Sequence, residues 1–109
     1  MAMSARADAQ VPAVPEGVDD PRLEKARGVV ELPLHISWSG RTRQYDLADP
    51  QQRARVYEQV LREGNDDDVR YFIDVDQLQD LWSRMWLPQR ACQAWAEWYR
   101  RHRGVSLPC

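Results

Sequence analysis

The clearest pattern in the chain is the alternation over residues 29–38, VVELPLHISW. Val30, Leu32, Leu34, Ile36 and Trp38 share one face there, and Glu31, Pro33, His35 and Ser37 the other. Period two over this length predicts a half-buried β-strand. Pro33 has no N–H to give to a ladder, so the strand has a free edge at that point. Ser39-Gly40 is a two-residue hairpin signal, and the second strand is 41–47, RTRQYDL. Such a turn pairs Trp38 with Arg41, Ile36 with Arg43, Leu34 with Tyr45 and Leu32 with Leu47, which puts Tyr45 and Leu47 on the apolar face. Trp38 with Arg41 is a candidate cation–π pair.

After residue 48 the period changes to that of helices. Asp49-Pro50 combines an N-cap carboxylate with proline at the first helical position, and the helix runs to Glu63 and stops at Gly64. Its apolar stripe is Val56, Tyr57, Val60 and Leu61. Asn65 and Asp66–Asp68 form a cap-like acidic cluster before Val69, Tyr71, Phe72 and Ile73. Asp74 caps a third helix that presents Leu78, Leu81, Trp82 and Met85. Leu87-Pro88 breaks the chain, and a last helix spans 89–103 and ends before Gly104. Ala91, Ala94, Trp95 and Trp98 form its inner face, with Gln93, Glu97, Arg100 and Arg101 outward. A lone hairpin is marginal in water, so its apolar face belongs on the helices. The predicted fold is α+β: an N-terminal β-hairpin packed on a small bundle of about four helices.

Residues 1–28 carry Ala, Pro, Gly and charge but no aromatic, a composition that buries too little surface to offset chain entropy. They are predicted to be a disordered tail, leaving a single domain over 29–104. With 109 residues in all, dinucleotide-binding and barrel enzyme folds are excluded by size. No apolar run approaches the ~18 residues of a membrane span, and the first residues show no apolar leader. Cys92 and Cys109 form neither a metal spacing nor a disulfide framework. The reading is a reduced, cytoplasmic protein without a membrane partner, with Cys92 as a small buried hydrophobe.

Candidate chemistry is sparse. Ser37, Ser39, His35 and Asp46 make a nucleophile constellation only on paper, because His35 lies on the polar face of its strand with nothing to orient it. His102 suits the last turn of its helix through the dipole. Asp66, Asp67 and Asp68 with Asp74 and Asp76 resemble a cation cluster, but they lack the alternate spacing, central Gly and terminal Glu of a calcium loop. Helix capping on a solvated face is the favoured reading. No catalytic residue, cofactor or metal ligand is assigned, and the chain is read as not an enzyme.

Charge and tryptophan say more. The formal charge is −2, yet 65–82 carry six Asp and one Arg while 83–109 carry five Arg and one Glu. Such asymmetry predicts separate acidic and basic patches. The cations are fourteen Arg and one Lys, Lys25, which codon bias in a GC-rich genome explains better than selection for bidentate contacts. Four of the five Trp (Trp82, Trp86, Trp95 and Trp98) fall within 17 residues, more indole than two short helices readily hide. Trp86, just before the Leu87-Pro88 break, is predicted to be the exposed one. Trp and Arg are the residue types most enriched at binding hot spots, so the candidate partner-binding residues are Trp86, Trp98, Arg100 and Arg101.

The runs ELPLHISWSG (31–40), YDLADPQQRARVYEQVLREG (45–64), DDVRYFIDVDQLQDLW (67–82) and LPQRACQAWAEW (87–98) resemble small proteins of GC-rich bacteria. Their neighbouring gene often encodes a nucleotidyltransferase-type abortive-infection toxin. The resemblance spans 31–103, carries no catalytic motif, and implies an antitoxin that binds its cognate toxin. The alternative is a DNA-binding regulator at its own promoter, with the last helix as the recognition element.

Overall fold

The computed structural model describes residues 14–37 and 44–109. Two short antiparallel strands, β1 (Val29–Glu31) and β2 (Gln44–Asp46), precede four helices: α1 (Pro50–Glu63), α2 (Asp66–Phe72), α3 (Val75–Leu81) and α4 (Gln89–Arg103). A 3-10 turn, Trp82–Arg84, follows α3. The fold is α+β, as the patterning predicts. The chain divides into two compact units, one of them Pro15–Leu87 and the other containing Pro88–Cys109.

In the first unit the helix boundaries follow from local capping. Asp49 accepts the Gln51 N–H at 3.1 Å ahead of α1, with Pro50 in the first turn. Gly64 ends α1 by close approach rather than by a left-handed turn: a Cβ there would lie 2.7 Å from the Val60 carbonyl oxygen. Asn65 and Asp68 form a reciprocal capping box at the start of α2, at 2.9 and 3.0 Å. Asp74 accepts the Asp76 and Gln77 N–H groups at the start of α3. α1 packs on β2, α2 and α3. The core holds Val56, Tyr57 and Val60 from α1, Val69 and Phe72 from α2, then Ile73, Val75, Leu78 and Leu81, with Tyr45 and Leu47 from the strand region.

The strands differ from expectation. The ladder pairs Val29 with Asp46, Val30 with Tyr45 and Glu31 with Gln44, a register four residues away from the predicted Leu34–Tyr45 pairing. β1 stops before Pro33, whose carbonyl accepts the N–H groups of Ile36 and Ser37 at 3.0 and 2.9 Å. A ring that removes the donor from a strand favours such a turn. The turn breaks the period of two. Ile36 is 2 % exposed, Leu34 is 76 % exposed, and Val30 and Leu32 are half-buried. Trp38, the Ser39-Gly40 turn and the pairings to Arg41 and Arg43 lie outside the described residues.

The predicted tail also needs a correction. Its first 13 residues lie outside the described ones, but Pro15–Gly28 belongs to the first unit, with Pro15 and Val18 buried. The reason is the short α2. A helix of seven residues is marginal alone, and its last carbonyls need donors. Lys25 gives its ammonium to the Arg70 carbonyl at 2.6 Å and to the Val18 carbonyl at 2.8 Å. The Ala26 N–H takes the Tyr71 carbonyl at 2.9 Å, and Arg70 Nε reaches back to the Glu16 carbonyl at 3.0 Å. The chain's one lysine and its neighbours therefore complete the C-terminal end of α2. Burial pulls the Lys25 pKa down, against the carboxylates of Asp74 and Asp19.

In the second unit α4 buries Ala91, Trp95 and Tyr99, one residue per turn. Tyr99, beside the arginines of the helix end, is fully buried. Gly104 adopts φ 64°, the left-handed conformation that suits glycine past a helix end, and reverses the chain. The returning segment ends in a disulfide between Cys109 and Cys92, with the Cα atoms 5.8 Å apart. This overturns the expectation of reduced cysteines and of Cys92 as a buried hydrophobe. The lengths explain the match. Cys92 to Arg103 is about 16 Å of helix at ~1.5 Å per residue. Five extended residues from Gly104 retrace about the same distance at ~3.3 Å each.

Candidate partner-binding surface

The four residues singled out by composition do not come from one unit. Trp86 belongs to Pro15–Leu87, whereas Trp98, Arg100 and Arg101 lie on α4. On α4 the arginines are engaged. Arg100 grips Glu97 in a fork, Nε at 2.6 Å and Nη2 at 2.8 Å, and Arg101 Nε approaches the same carboxylate at 3.5 Å. Arg100, and then Arg101, hold the Glu97 carboxyl below the usual carboxylate range, and Glu97 raises Arg100 in turn. These pairs are solvent-exposed and contribute little stability. Their effect is on charge: three side chains that a sequence pattern reads as two free cations carry a net charge of one.

Trp98 is half-buried. The His102 ring stacks on it at 4.7 Å, Tyr99 meets it edge-on at 5.1 Å, Trp95 lies 6.1 Å away, and the Arg103 guanidinium sits 5.8 Å from its centroid. His102 therefore packs on an indole, one turn from its stacking partner, at the helix end where a dipole role was expected. A shallow groove of about 300 Å³ runs beside Gln93, Ala96, Glu97 and Arg100, walled by the returning Ser106, Leu107 and Cys109.

Trp86 is the exposed indole, 66 % accessible, as its place before Leu87-Pro88 predicts. Its backbone is held: the Trp86 N–H donates to Glu58 Oε2 at 2.8 Å. Glu58 also lines a groove of about 640 Å³ in the first unit, with Gln51, Ala54 and Arg55 of α1 and Arg84 of the 3-10 turn. Among the described residues neither Arg55 nor Arg84 pairs with a carboxylate. Sequence reasoning passed over both arginines. Their only local signal is the Gln51, Arg55, Glu58 spacing on the polar side of α1, which resembles any solvated helix face.

A third groove, about 370 Å³, gathers Lys25, Arg53, Tyr57, Asp74 and Gln77. Its polar groups hold the fold together. Arg53 donates to the Leu47 carbonyl at 2.7 Å and to Gln77 Oε1 at 2.6 Å, and the Tyr57 hydroxyl accepts the Asp74 N–H at 3.1 Å. Burial pushes the Tyr57 phenol up to about 12.

His35, expected to stand without an orienting group, meets Asp68 instead, Nε2 to Oδ2 at 2.5 Å. Asp68 already closes the α2 capping box, so the pair ties the Pro33–Ile36 turn to the start of that helix. Asp46 accepts the Ala48 N–H, and Ser39 lies outside the described residues, so the paper constellation of Ser37, Ser39, His35 and Asp46 gains no geometry. In the acidic cluster Asp67 pairs with Arg70 and Asp74 caps α3.

Among the described residues no helix is long and apolar enough to cross a membrane. No protein-family model, no curated protein and no solved structure matches the chain.

Proposed function

We propose that this chain is a protein-binding module, the antitoxin that neutralises a nucleotidyltransferase-type abortive-infection toxin by direct binding. The observation that carries the binding reading is Trp86, an indole 66 % exposed on a backbone fixed by Glu58. Exposing so much apolar surface on a held segment suits an interface anchor. The antitoxin assignment within that class rests on the resemblance of residues 31–103 described above. The alternative, recognition of promoter DNA by α4, asks for phosphate-binding cations on that helix. Arg100 and Arg101 are bound to Glu97 instead, which weighs against it. A cytoplasmic site of action implies the dithiol form of Cys92 and Cys109, whereas an oxidising compartment preserves their bond. Trapping free thiols in intact cells distinguishes the two.

The test is coexpression with the product of the adjacent gene and co-purification of the two proteins. Trp86→Ala should weaken the complex by about 2 kcal/mol or more while leaving the fold intact. Failure of the pair to associate removes the antitoxin reading.

A further inference from the structure

The groove on α1 has a composition that packing alone does not require. Gln51, Ala54, Arg55 and Glu58 recur at three- and four-residue spacing and so share one side of the helix. Ala54 is buried, and Arg84 joins the lining from the 3-10 turn. Two guanidinium groups thus line one cavity of about 640 Å³, and among the described residues no carboxylate pairs with either. Glu58, the acidic group in the lining, spends one oxygen on the Trp86 N–H. Like charges that share a groove repel, and an anion between them relieves the repulsion. A guanidinium is the side chain best shaped for a carboxylate, through two parallel N–H···O bonds. Trp86, whose indole is exposed, is anchored to Glu58 of this groove through its backbone N–H.

We propose that this groove is a docking site for an acidic segment of a protein partner: an Asp or Glu carboxylate between Arg55 and Arg84, and a neighbouring apolar side chain on the Trp86 indole. The inference rests on the protein-binding reading and narrows it to one surface of one unit and to a partner of stated charge. Glu58 selects among anions. A single carboxylate fits two arginines beside one glutamate, whereas a phosphate or a nucleic-acid backbone brings further negative charge against Glu58 and against a chain of net charge −2.

The experiment uses the full chain, ¹⁵N-labelled, titrated with the capped peptide acetyl-Gly-Glu-Leu-Gly-amide. The same peptide with Gln for Glu, inorganic phosphate and a thymidine decamer are run alongside. The acidic peptide should move the Arg55 and Arg84 Nε–H signals and the Trp86 indole signal saturably, and the Gln peptide should not. Arg55→Gln combined with Arg84→Gln should weaken binding at least about tenfold, equivalent to ~1.4 kcal/mol. The denaturation midpoint should hold, because both side chains are exposed. The proposal is overturned by no saturable shift at these residues, by an equal response to the Gln peptide, or by tighter binding of phosphate or the decamer. The coexpressed neighbour separates the two readings. If it co-purifies equally with wild type and the double arginine variant, the groove is wrong and the protein-binding reading stands. If the peptide titrates as expected but the neighbour never co-purifies, the groove stands and the antitoxin reading falls.

Discussion

Leu34 and Ile36 sit two residues apart in a stretch whose alternation would bury both, and the fold separates them. Ile36 is 2 % exposed and Leu34 76 % exposed, because the Pro33 carbonyl closes a turn onto Ile36 and Ser37. Alanine at each position measures the difference. Ile36→Ala removes a side chain enclosed in the core and should cost about 2–5 kcal/mol, transfer and cavity terms together. That is a large share of the ~5–15 kcal/mol that stabilises an ordinary domain. Full burial of a leucine is worth roughly 1.5–3 kcal/mol. With 76 % of Leu34 in water, only about a quarter of that, ~0.5 kcal/mol, is at stake. Urea denaturation followed by circular dichroism and by tryptophan fluorescence gives both numbers, and the slope of free energy against urea should be unchanged in each variant. If Leu34→Ala costs as much as Ile36→Ala, the ladder continues past Pro33 and the turn is wrong.

Val18→Ala should cost about 1–3 kcal/mol, since Val18 is 0 % exposed; a loss under ~0.5 kcal/mol in the same urea assay would return this segment to the tail. Reduction of the Cys92–Cys109 bond opens a loop close to the size at which ~3 kcal/mol of stabilisation is expected. Dithiothreitol should therefore lower the melting temperature of the wild type and leave a Cys92→Ser, Cys109→Ser variant unmoved. Tyr57 sets an alkaline limit: its phenol is raised from 10 to about 12 in the fold. Between those values the unfolded chain gives up a proton that the folded one keeps. Stability is insensitive to Tyr57 below pH 10 and falls as pH rises from 10 towards about 12, by up to about 3 kcal/mol. Tyr57→Phe should flatten that decline in denaturation midpoints, while lowering stability at neutral pH by about 1–3 kcal/mol, because the Asp74 N–H loses its acceptor.

The helix limits of this protein were legible along the chain because capping is a local interaction. Asp49 with Pro50, Asn65 with Asp68, Asp74 and Gly104 act within a few residues of themselves, and each stands at an observed helix end. The stripe of Val56, Tyr57 and Val60 and the exposure of Trp86 followed in the same way from periodicity and from a nearby proline. What the tertiary structure decided depends on groups far apart in sequence. The Lys25 ammonium becomes useful only when the end of α2 presents the Arg70 carbonyl to it, so composition read 15–28 as tail. The ladder register followed the turn at Pro33, whose competing hydrogen bonds an alternating pattern does not encode. Cys109 met Cys92 because a left-handed Gly104 sent an extended segment back along a helix of matching length. Arg100 and Arg101 lost their free charge to Glu97 on the same helix, while Arg55 and Arg84 became neighbours only once the 3-10 turn closed on α1. Periodicity assigns a side chain to a face; which partner waits on that face is settled by chain reversals and long-range hydrogen bonds, and these are properties of the folded whole.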